Sequence, residues 1–477
     1  MPLESDPRTK PPAEPALIRG LGLRDATALV IGTIIGTGVF LKMAPMAQAV
    51  GSPWLALLAW IAAGLLSLAG ALSYAELGAL MPSAGGEYVY LRAAYGDLVA
   101  FLFGWMRILI GASGSIAIFG VAFATFLSSV VPLDAVWARR TMSLFGQTTE
   151  WEFGMKQIVA IAAILLLSVL NCRRVTFAGK TQTLLTIAKV AAIGGIVAGV
   201  FFFSKGGDWS HLRTPAGTPA WSGLQAFGLA MLAALWAYDG WNNMPMVAGE
   251  VKDPQRNVPR ALILGMFIVL LVYGLVNLAY CYALPIDEIQ SSNSSLHRDA
   301  LPVAAKAART FLGDRGPQLI SLAFLLSTIG VLHGSILTNA RIPYALAKDG
   351  LFFRRFARLS DKTSVPVSAI ALQAVWASVL AASGTFDQLT NYVVFAGWIF
   401  YAATTSAVFV LRKKMSAAPR PYRTPGYPFI PVVFILVAVA LLVNTLITAR
   451  LEALLGLALI ALGLPVYVFF RLRGGPH

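Results

Sequence analysis

The sequence predicts an all-α membrane protein of about twelve crossing helices, with the first and sixth broken near their middles. Three observations predict it. The 477 residues are 57% hydrophobic and 12% charged, with a mean hydropathy of +0.71. Charged residues make up about a quarter of soluble chains, so lipid must be the solvent for most of this one. Apolar runs of bilayer-crossing length recur along it, centred near residues 36, 64, 116, 164, 194, 233, 271, 329, 375, 397, 436 and 459. Two of these runs carry glycine or polar residues at their centres, where lipid offers no water to replace a lost backbone hydrogen bond.

Taken in order, residues 1–24 are polar and rich in proline, without the apolar core of a signal peptide. They read as a cytoplasmic tail. The first span, residues 26–50, contains Gly32-Thr33-Ile34-Ile35-Gly36-Thr37-Gly38. Three glycines weaken a helix at a depth where irregular backbone survives only if buried in protein or lining a cavity. The stretch reads as a broken helix whose N–H and C=O groups face a polar solute, or as a small-residue packing stripe built on Gly32 and Gly36. Pro82-Ser83-Ala84-Gly85-Gly86-Glu87 is a turn before a short interfacial helix holding Arg92. The sixth span contains Ala237-Tyr238-Asp239-Gly240-Trp241-Asn242-Asn243, with Pro245 barring regular helix bonding beyond it. An ionisable residue at that depth costs a few kcal/mol on insertion scales and is usually functional. Breaks five spans apart are the pattern of two inverted five-helix repeats. Residues 285–302 form a polar loop, and Val303 to Leu312 is amphipathic and too short to span, so it is expected along the outer surface.

The net charge of +15 sits mainly in loops, so membrane topology explains it better than nucleic acid does. With the N-terminus inside, the larger share of Lys and Arg falls on the cytoplasmic side. That share includes Arg354-Arg355-Phe356-Ala357-Arg358 and Arg412-Lys413-Lys414. An even number of spans returns the C-terminus to the same side. Lys42, Arg107 and Lys189 lie inside spans.

Several motifs stand in a characteristic order. They are Ile31 to Phe40, Ser73-Tyr74-Ala75-Glu76-Leu77-Gly78, Gly85-Gly86-Glu87-Tyr88, Trp236 to Asn242, Gly249-Glu250-Val251 and Pro259-Arg260-Ala261. On these residues the chain, from residue 21 to about 473, resembles the amino acid–polyamine–organocation transporter superfamily, most closely its L-type amino acid transporter branch. The resemblance implies the leucine-transporter fold, with residues 25–205 and 219–413 as inverted repeats. Residues 425–473 would be two further helices and 474–477 a cytoplasmic end. It also implies a multi-pass protein of the plasma (inner) membrane, with both termini cytoplasmic. The implied function is sodium-independent amino acid transport by alternating access, through exchange or proton coupling, with neutral L-amino acids as substrates. A cationic amino acid or polyamine exchanger of the same fold is the alternative.

Each motif has a matching chemistry. Bare amides of a broken helix suit a substrate carboxylate, and free carbonyls suit its ammonium. Within the Gly32 to Gly38 motif, which includes Gly36, the amides of Thr37 and Gly38 and the Thr37 hydroxyl are assigned to the carboxylate. The carbonyls of Gly32, Thr33, Ile34, Trp236 and Ala237 are assigned to the ammonium, a division the resemblance supports. Helix-internal bonding is the other reading of Thr37. By resemblance Trp236 is an aromatic gate, against ordinary packing. Asp239 either orients Asn242 or the broken backbone, or faces the side-chain pocket and favours a cationic substrate. Asn242 is assigned to the substrate side chain or the first break. In sodium-coupled relatives a cation bridges spans one and eight, and in related sodium-independent members a span-five lysine replaces it; Lys189 matches that position. Its ammonium is expected on carbonyls near Gly32 and on Ser335 or Thr338; snorkelling to an interface is the alternative. Arg107 departs from the acidic residue often found there in the L-type branch and is expected to pair with Glu76 or Glu87. His333 reads as a packing histidine.

The four histidines show no metal spacing and there is no phosphate-binding Gly-x4-Gly-Lys loop, so no metal, no cofactor and no enzyme activity are expected. A non-transporting amino acid sensor is the remaining class, and such proteins often carry long signalling tails that this chain lacks. Animal heteromeric relatives carry a cysteine between spans three and four. Residues 131–150 have none, and Cys172 and Cys281 lie elsewhere. No disulfide-linked ancillary subunit is therefore expected, as in a bacterial-type member. The expected partners are an amino acid and the lipid bilayer, and the sequence leaves the oligomeric state open.

Overall fold

A computed structural model describes residues 16–144, 147–213, 223–294, 296–297, 300–383, 386–448 and 450–473. Most of the N-terminal tail and the stretch 474–477 lie outside the described residues. The chain is largely helical. Its first apolar segment is divided into α1 (Leu23–Ile34), α2 (Gly38–Leu41) and α3 (Met43–Val50). Next come α4 (Pro53–Leu80), the short α5 (Glu87–Tyr95), α6 (Asp97–Met106) and α7 (Ala112–Leu127). A π-helical turn, Arg107–Gly111, joins α6 to α7. After a hairpin follow α8 (Met155–Asn171) and α9 (Val175–Phe203). The second interrupted segment is α10 (Gly223–Tyr238) and a 3-10 stretch, Trp241–Glu250. The remainder is α11 (Pro254–Ala283), α12 (Ile286–Gln290), α13 (Val303–Leu312), α14 (Gly316–Asn339), α15 (Arg341–Lys348), α16 (Val367–Ala382), α17 (Phe386–Lys414), α18 (Phe429–Thr448), α19 (Arg450–Ala461) and α20 (Gly463–Arg473).

Among the described residues, eight helical stretches are long and apolar enough to cross a membrane, and α8 and α16 are shorter apolar helices. Local chemistry sets their ends. Ser52 caps α4, accepting from the Leu55 amide at 3.5 Å, with Pro53 at the first helical position. Asp25 accepts from the Gly22 amide at 3.1 Å at the start of α1. The long helices expose Leu, Val and Phe outward, as on α18 and α11, because lipid rather than water surrounds them.

Two stretches carry more than the sequence reading gave them. Residues 131–150 were read as a loop between spans, and β1 (Val136–Leu144) and β2 (Gln147–Gly154) form an antiparallel hairpin there, with Arg139 opposite Glu152. Outside the apolar spans, β-branched and aromatic residues such as Val136, Trp137, Trp151 and Phe153 favour strands. The second is α13, short and amphipathic as expected, whose Val303, Ala304, Ala305, Ala307 and Ala308 are buried against α14 and α9. Small alanines allow that close approach.

Two buried charge clusters fasten one end of the bundle. Arg341 and Glu250 are fully buried and bidentate, at 2.7 and 2.8 Å. The Glu250 amide-carbonyl unit also accepts from the Leu21 amide at 2.9 Å. Glu76 receives Arg412 at 2.9 and 2.7 Å, Arg420 at 3.5 Å and the Thr424 amide at 2.8 Å. Removing one partner of a buried pair leaves an uncompensated charge and costs about 3–5 kcal/mol. Arg341→Met is therefore expected to lower the melting temperature in detergent clearly, and Arg341→Met with Glu250→Gln to recover part of the loss. Equal melting of wild type and the single variant would remove this pair from the account of stability.

Candidate functional site

The helix of the first segment stops at Ile34, where the next residue, Ile35, takes an extended conformation. Among the described residues, no acceptor faces the backbone amides of Gly36, Thr37 and Gly38. The second segment stops at Tyr238, and Gly240, at φ +120°, turns the chain into the 3-10 stretch. The two breaks lie against each other. A Cβ on Gly38 would stand 2.6 Å from Ala237 Cβ, and one on Gly240 would stand 2.5 Å from the Thr33 carbonyl oxygen. Thr33 Oγ1 donates to Gly240 O at 3.0 Å. Tyr273 Oη on α11 lies 3.2 Å from Ile34 O and 2.9 Å from Ala237 O, one hydroxyl bridging both breaks. Only glycine at positions 38 and 240 permits this contact.

The breaks form part of the wall of a cavity of about 60 Å³. Thr33, Ile34, Gly36, Thr37, Gly38, Trp236, Ala237, Asp239 and Asn242 all line it. Gly32 does not line it. Its α-carbon faces Gln182 and Thr186 on α9, and its carbonyl belongs to Lys189. The ammonium assignment needs a similar adjustment at Ile34 and Ala237, whose carbonyls share the one hydroxyl proton of Tyr273. Each keeps a second lone pair. Trp236 carries the Lys42 ammonium 4.2 Å above its ring.

Lys189 is buried on α9. Its Nζ donates to Gly32 O at 3.0 Å, Ile35 O at 2.8 Å and Ser327 O at 3.2 Å, so three protons meet three carbonyls. Ser327 Oγ lies 3.0 Å from Ile35 O and 3.2 Å from Gly36 O. The expected span-eight partners were Ser335 and Thr338, and this is corrected. Ser335 lines the cavity, and Thr338 Oγ1 bonds back to Gly334 O at 2.9 Å. Ser327 lies more than two turns earlier on α14, at the depth of the break.

Arg107 also departs from expectation. It pairs with neither Glu76 nor Glu87. Its Nη2 donates to Asn243 Oδ1 at 3.2 Å and to Asn339 Oδ1. It lines the cavity together with Ser115, Ile118 and Phe119, none of which the sequence singled out. A smaller adjoining cavity of about 30 Å³ shares Arg107, Trp236 and Asp239 with the first. Asp239 accepts from Tyr401 Oη on α17 at 2.7 Å and so faces both cavities. Asn242 lines the cavity while its Nδ2 donates to Glu87 Oε1 at 2.8 Å. Glu87, expected as a partner of Arg107, instead accepts from Asn242, a bond that no sequence signal pointed to. His333 Nδ1 hydrogen-bonds Gln182 Oε1 at 2.9 Å, while its Nε2 is buried without a partner. Among the described residues, no group of three or more His, Cys, Asp or Glu is placed to hold a metal ion.

Burial pushes the Glu87 carboxyl up to about 7, against the opposing pull of Arg107 and the Asn242 hydrogen bond. Its Oε2 is buried without a partner. A folded-state value raised above the unfolded one gives stability that is complete below the ordinary glutamate range. That stability is lost as pH rises through about 7. Purified protein is therefore expected to melt at a lower temperature at pH 8 than at pH 5. Glu87→Gln is expected to flatten that decline, and an unchanged slope would show that another group sets it.

The amino acid permease family model matches residues 21–464. The serine/threonine exchanger SteT of Bacillus subtilis (strain 168) is 34% identical, over 96% of this chain and 98% of its own. The large neutral amino acids transporter small subunit 2 of Homo sapiens is 30% identical over 95% of this chain and 80% of its own. The b(0,+)-type amino acid transporter 1 of Mus musculus is 29% identical over 91% and 84%.

Proposed function

This chain belongs to the amino acid permease family, and from that premise we propose that it is a sodium-independent exchanger of small neutral L-amino acids. Amino acid transport is the family's activity. Sodium independence, the substrate size and the residue roles are our reading. The observation that carries it is the Lys189 ammonium on the carbonyls of Gly32, Ile35 and Ser327. Unwound carbonyls need a cation or several donors to hold the half-helices in register. An ammonium already there excludes sodium by occupancy and by like charge.

The substrate carboxylate takes the open amides of Gly36, Thr37 and Gly38, with the Thr37 hydroxyl. The ammonium takes the second lone pairs of Thr33, Ile34, Trp236 and Ala237. A cavity of about 60 Å³ is a few times the ~10–15 Å³ needed to hold one water, a small space that suits an amino acid with a short side chain. The relative named as a serine/threonine exchanger supports that size. Trp236 closes the site over the substrate.

In the same reading, eight long apolar stretches, the shorter α8 and α16, and the two interrupted segments give the twelve passages. Residues 25–205 and 219–413 are the inverted repeats and 425–473 the added pair. Both termini are cytoplasmic and the membrane is the inner one, as the Lys and Arg distribution suggests.

The test is exchange of radiolabelled amino acids in proteoliposomes, with sodium or choline outside. Equal rates are expected, and a requirement for an inward sodium gradient would overturn the coupling assignment. Lys189→Ala is expected to retain measurable substrate binding but to slow turnover by tenfold or more, about 1.4 kcal/mol or more in barrier. Unchanged turnover would exclude it. Gly38→Val, whose side chain would drive into Ala237, is expected to abolish exchange in inserted protein. Gly36→Ala is expected to be milder, because a Cβ there meets nothing closer than 3.5 Å.

A further inference from the structure

The guanidinium of Arg107 is an unusual object to find in an amino acid cavity. It is 7% exposed and lines both the main cavity and the smaller one beside it. Arg107 begins the π-helical turn Arg107–Gly111, and such turns recur at functional sites. The widened turn is braced. Trp376 Nε1 donates to Leu109 O at 2.7 Å and Ser113 Oγ to Ile108 O at 2.8 Å. The side chain is thus held in place by its backbone.

Its hydrogen bonding is incomplete. Arginine has five donors and no acceptor. Nη2 serves the two asparagine oxygens of Asn243 and Asn339. Nε is buried without a partner. Among the described residues Arg107 forms no ion pair. The nearby carboxylates are engaged elsewhere, Asp239 by Tyr401 and Glu87 by Asn242. Nη1 makes no hydrogen bond among the described residues and is not enclosed as Nε is, so it is the donor that an incoming acceptor can reach.

We propose that Arg107 selects the substrate side chain, donating to an uncharged oxygen on it, so that hydroxyl-bearing amino acids are preferred and cationic ones refused. This rests on the exchange reading above and names its substrate class. Three alternatives are weaker on the same geometry. A cationic side chain meets the Arg107 guanidinium, and the one carboxylate that lines the cavity, Asp239, is already bonded to Tyr401. An aliphatic one leaves the open donor as it was. An acidic one meets Asp239, which lines both cavities with Arg107. A short hydroxyl side chain satisfies the donor, carries no charge toward Asp239, and fits the volume.

Serine and alanine differ by the one oxygen, so their ratio reads the proposed bond directly. Exchange into serine-loaded proteoliposomes would be measured with labelled serine and labelled alanine, and with unlabelled arginine and aspartate as competitors. A hydrogen bond to a charged group is worth enough to give wild type a serine preference of about tenfold or more. Arg107→Met is expected to bring the ratio near one, and Arg107→Lys to keep part of it. Asn339→Asp supplies a carboxylate to the guanidinium in place of an amide oxygen and is expected to lower the ratio as well. If Arg107→Met cannot be purified folded, the lysine and Asn339→Asp variants carry the test. A purely structural Arg107 would reduce both substrates alike, leaving the ratio unchanged, and that result overturns the proposal. So does arginine competing as well as serine in wild type, or aspartate competing better than serine. Wild type exchanging no amino acid would overturn the transport reading itself, whereas exchange without preference overturns this inference alone.

Discussion

Everything at the centre of this protein depends on satisfying the backbone where the first helix is broken. Lipid supplies no water there, and each unpaired polar group costs several kcal/mol. Lys189 meets the need with one ammonium, on Gly32 O, Ile35 O and Ser327 O. Those three carbonyls come from α1, the break and α14, and the lysine comes from α9. A single charge therefore joins three helices at one depth. The charge itself is tolerable for the same reason: all three of its protons have acceptors.

With α1 fixed in this way, the second break can lie on the first. Gly38 against Ala237 and Gly240 against Thr33 leave no room for a side chain between them, and Tyr273 bridges the resulting carbonyls. Both breaks then turn their unused groups toward one small space. The amides of residues 36–38 are open on one side, and donors from the π-helical turn stand open on another. The cavity is thus assembled from parts that ordinary helices would have satisfied internally. Stability is provided elsewhere, by the fully buried Arg341–Glu250 pair and the Glu76 cluster.

Much of this was legible in the sequence. Long apolar runs announced the helices, because hydropathy is a local property. Glycines and polar residues within two of those runs announced the breaks. Nine of the residues chosen on that basis line the cavity. The errors have a common form. Gly32 was placed among the ligands, but only its carbonyl is used, and by Lys189. Ser335 and Thr338 were chosen over Ser327. Ser327 and Ser335 stand about 12 Å apart along a helix at 1.5 Å per residue, so depth separates them. Depth depends on how helices slide and tilt against one another, and no periodicity records that. The partners of Arg107 and Glu87 were missed because they come from residues far apart in the chain.

The sequence by itself determined where the long apolar helices lie, where two apolar runs are interrupted, and which family pattern those interruptions fit. It did so because burial in lipid and the loss of helix hydrogen bonds depend on residues within a few turns of each other. Only the tertiary structure decided which carbonyls Lys189 holds, which donors of Arg107 remain open, and that β1 pairs with β2. Helices such as α14 are apolar on nearly every face, so their sequence does not say which face meets which neighbour. That choice belongs to packing among distant segments, and the chemistry of the cavity follows from it.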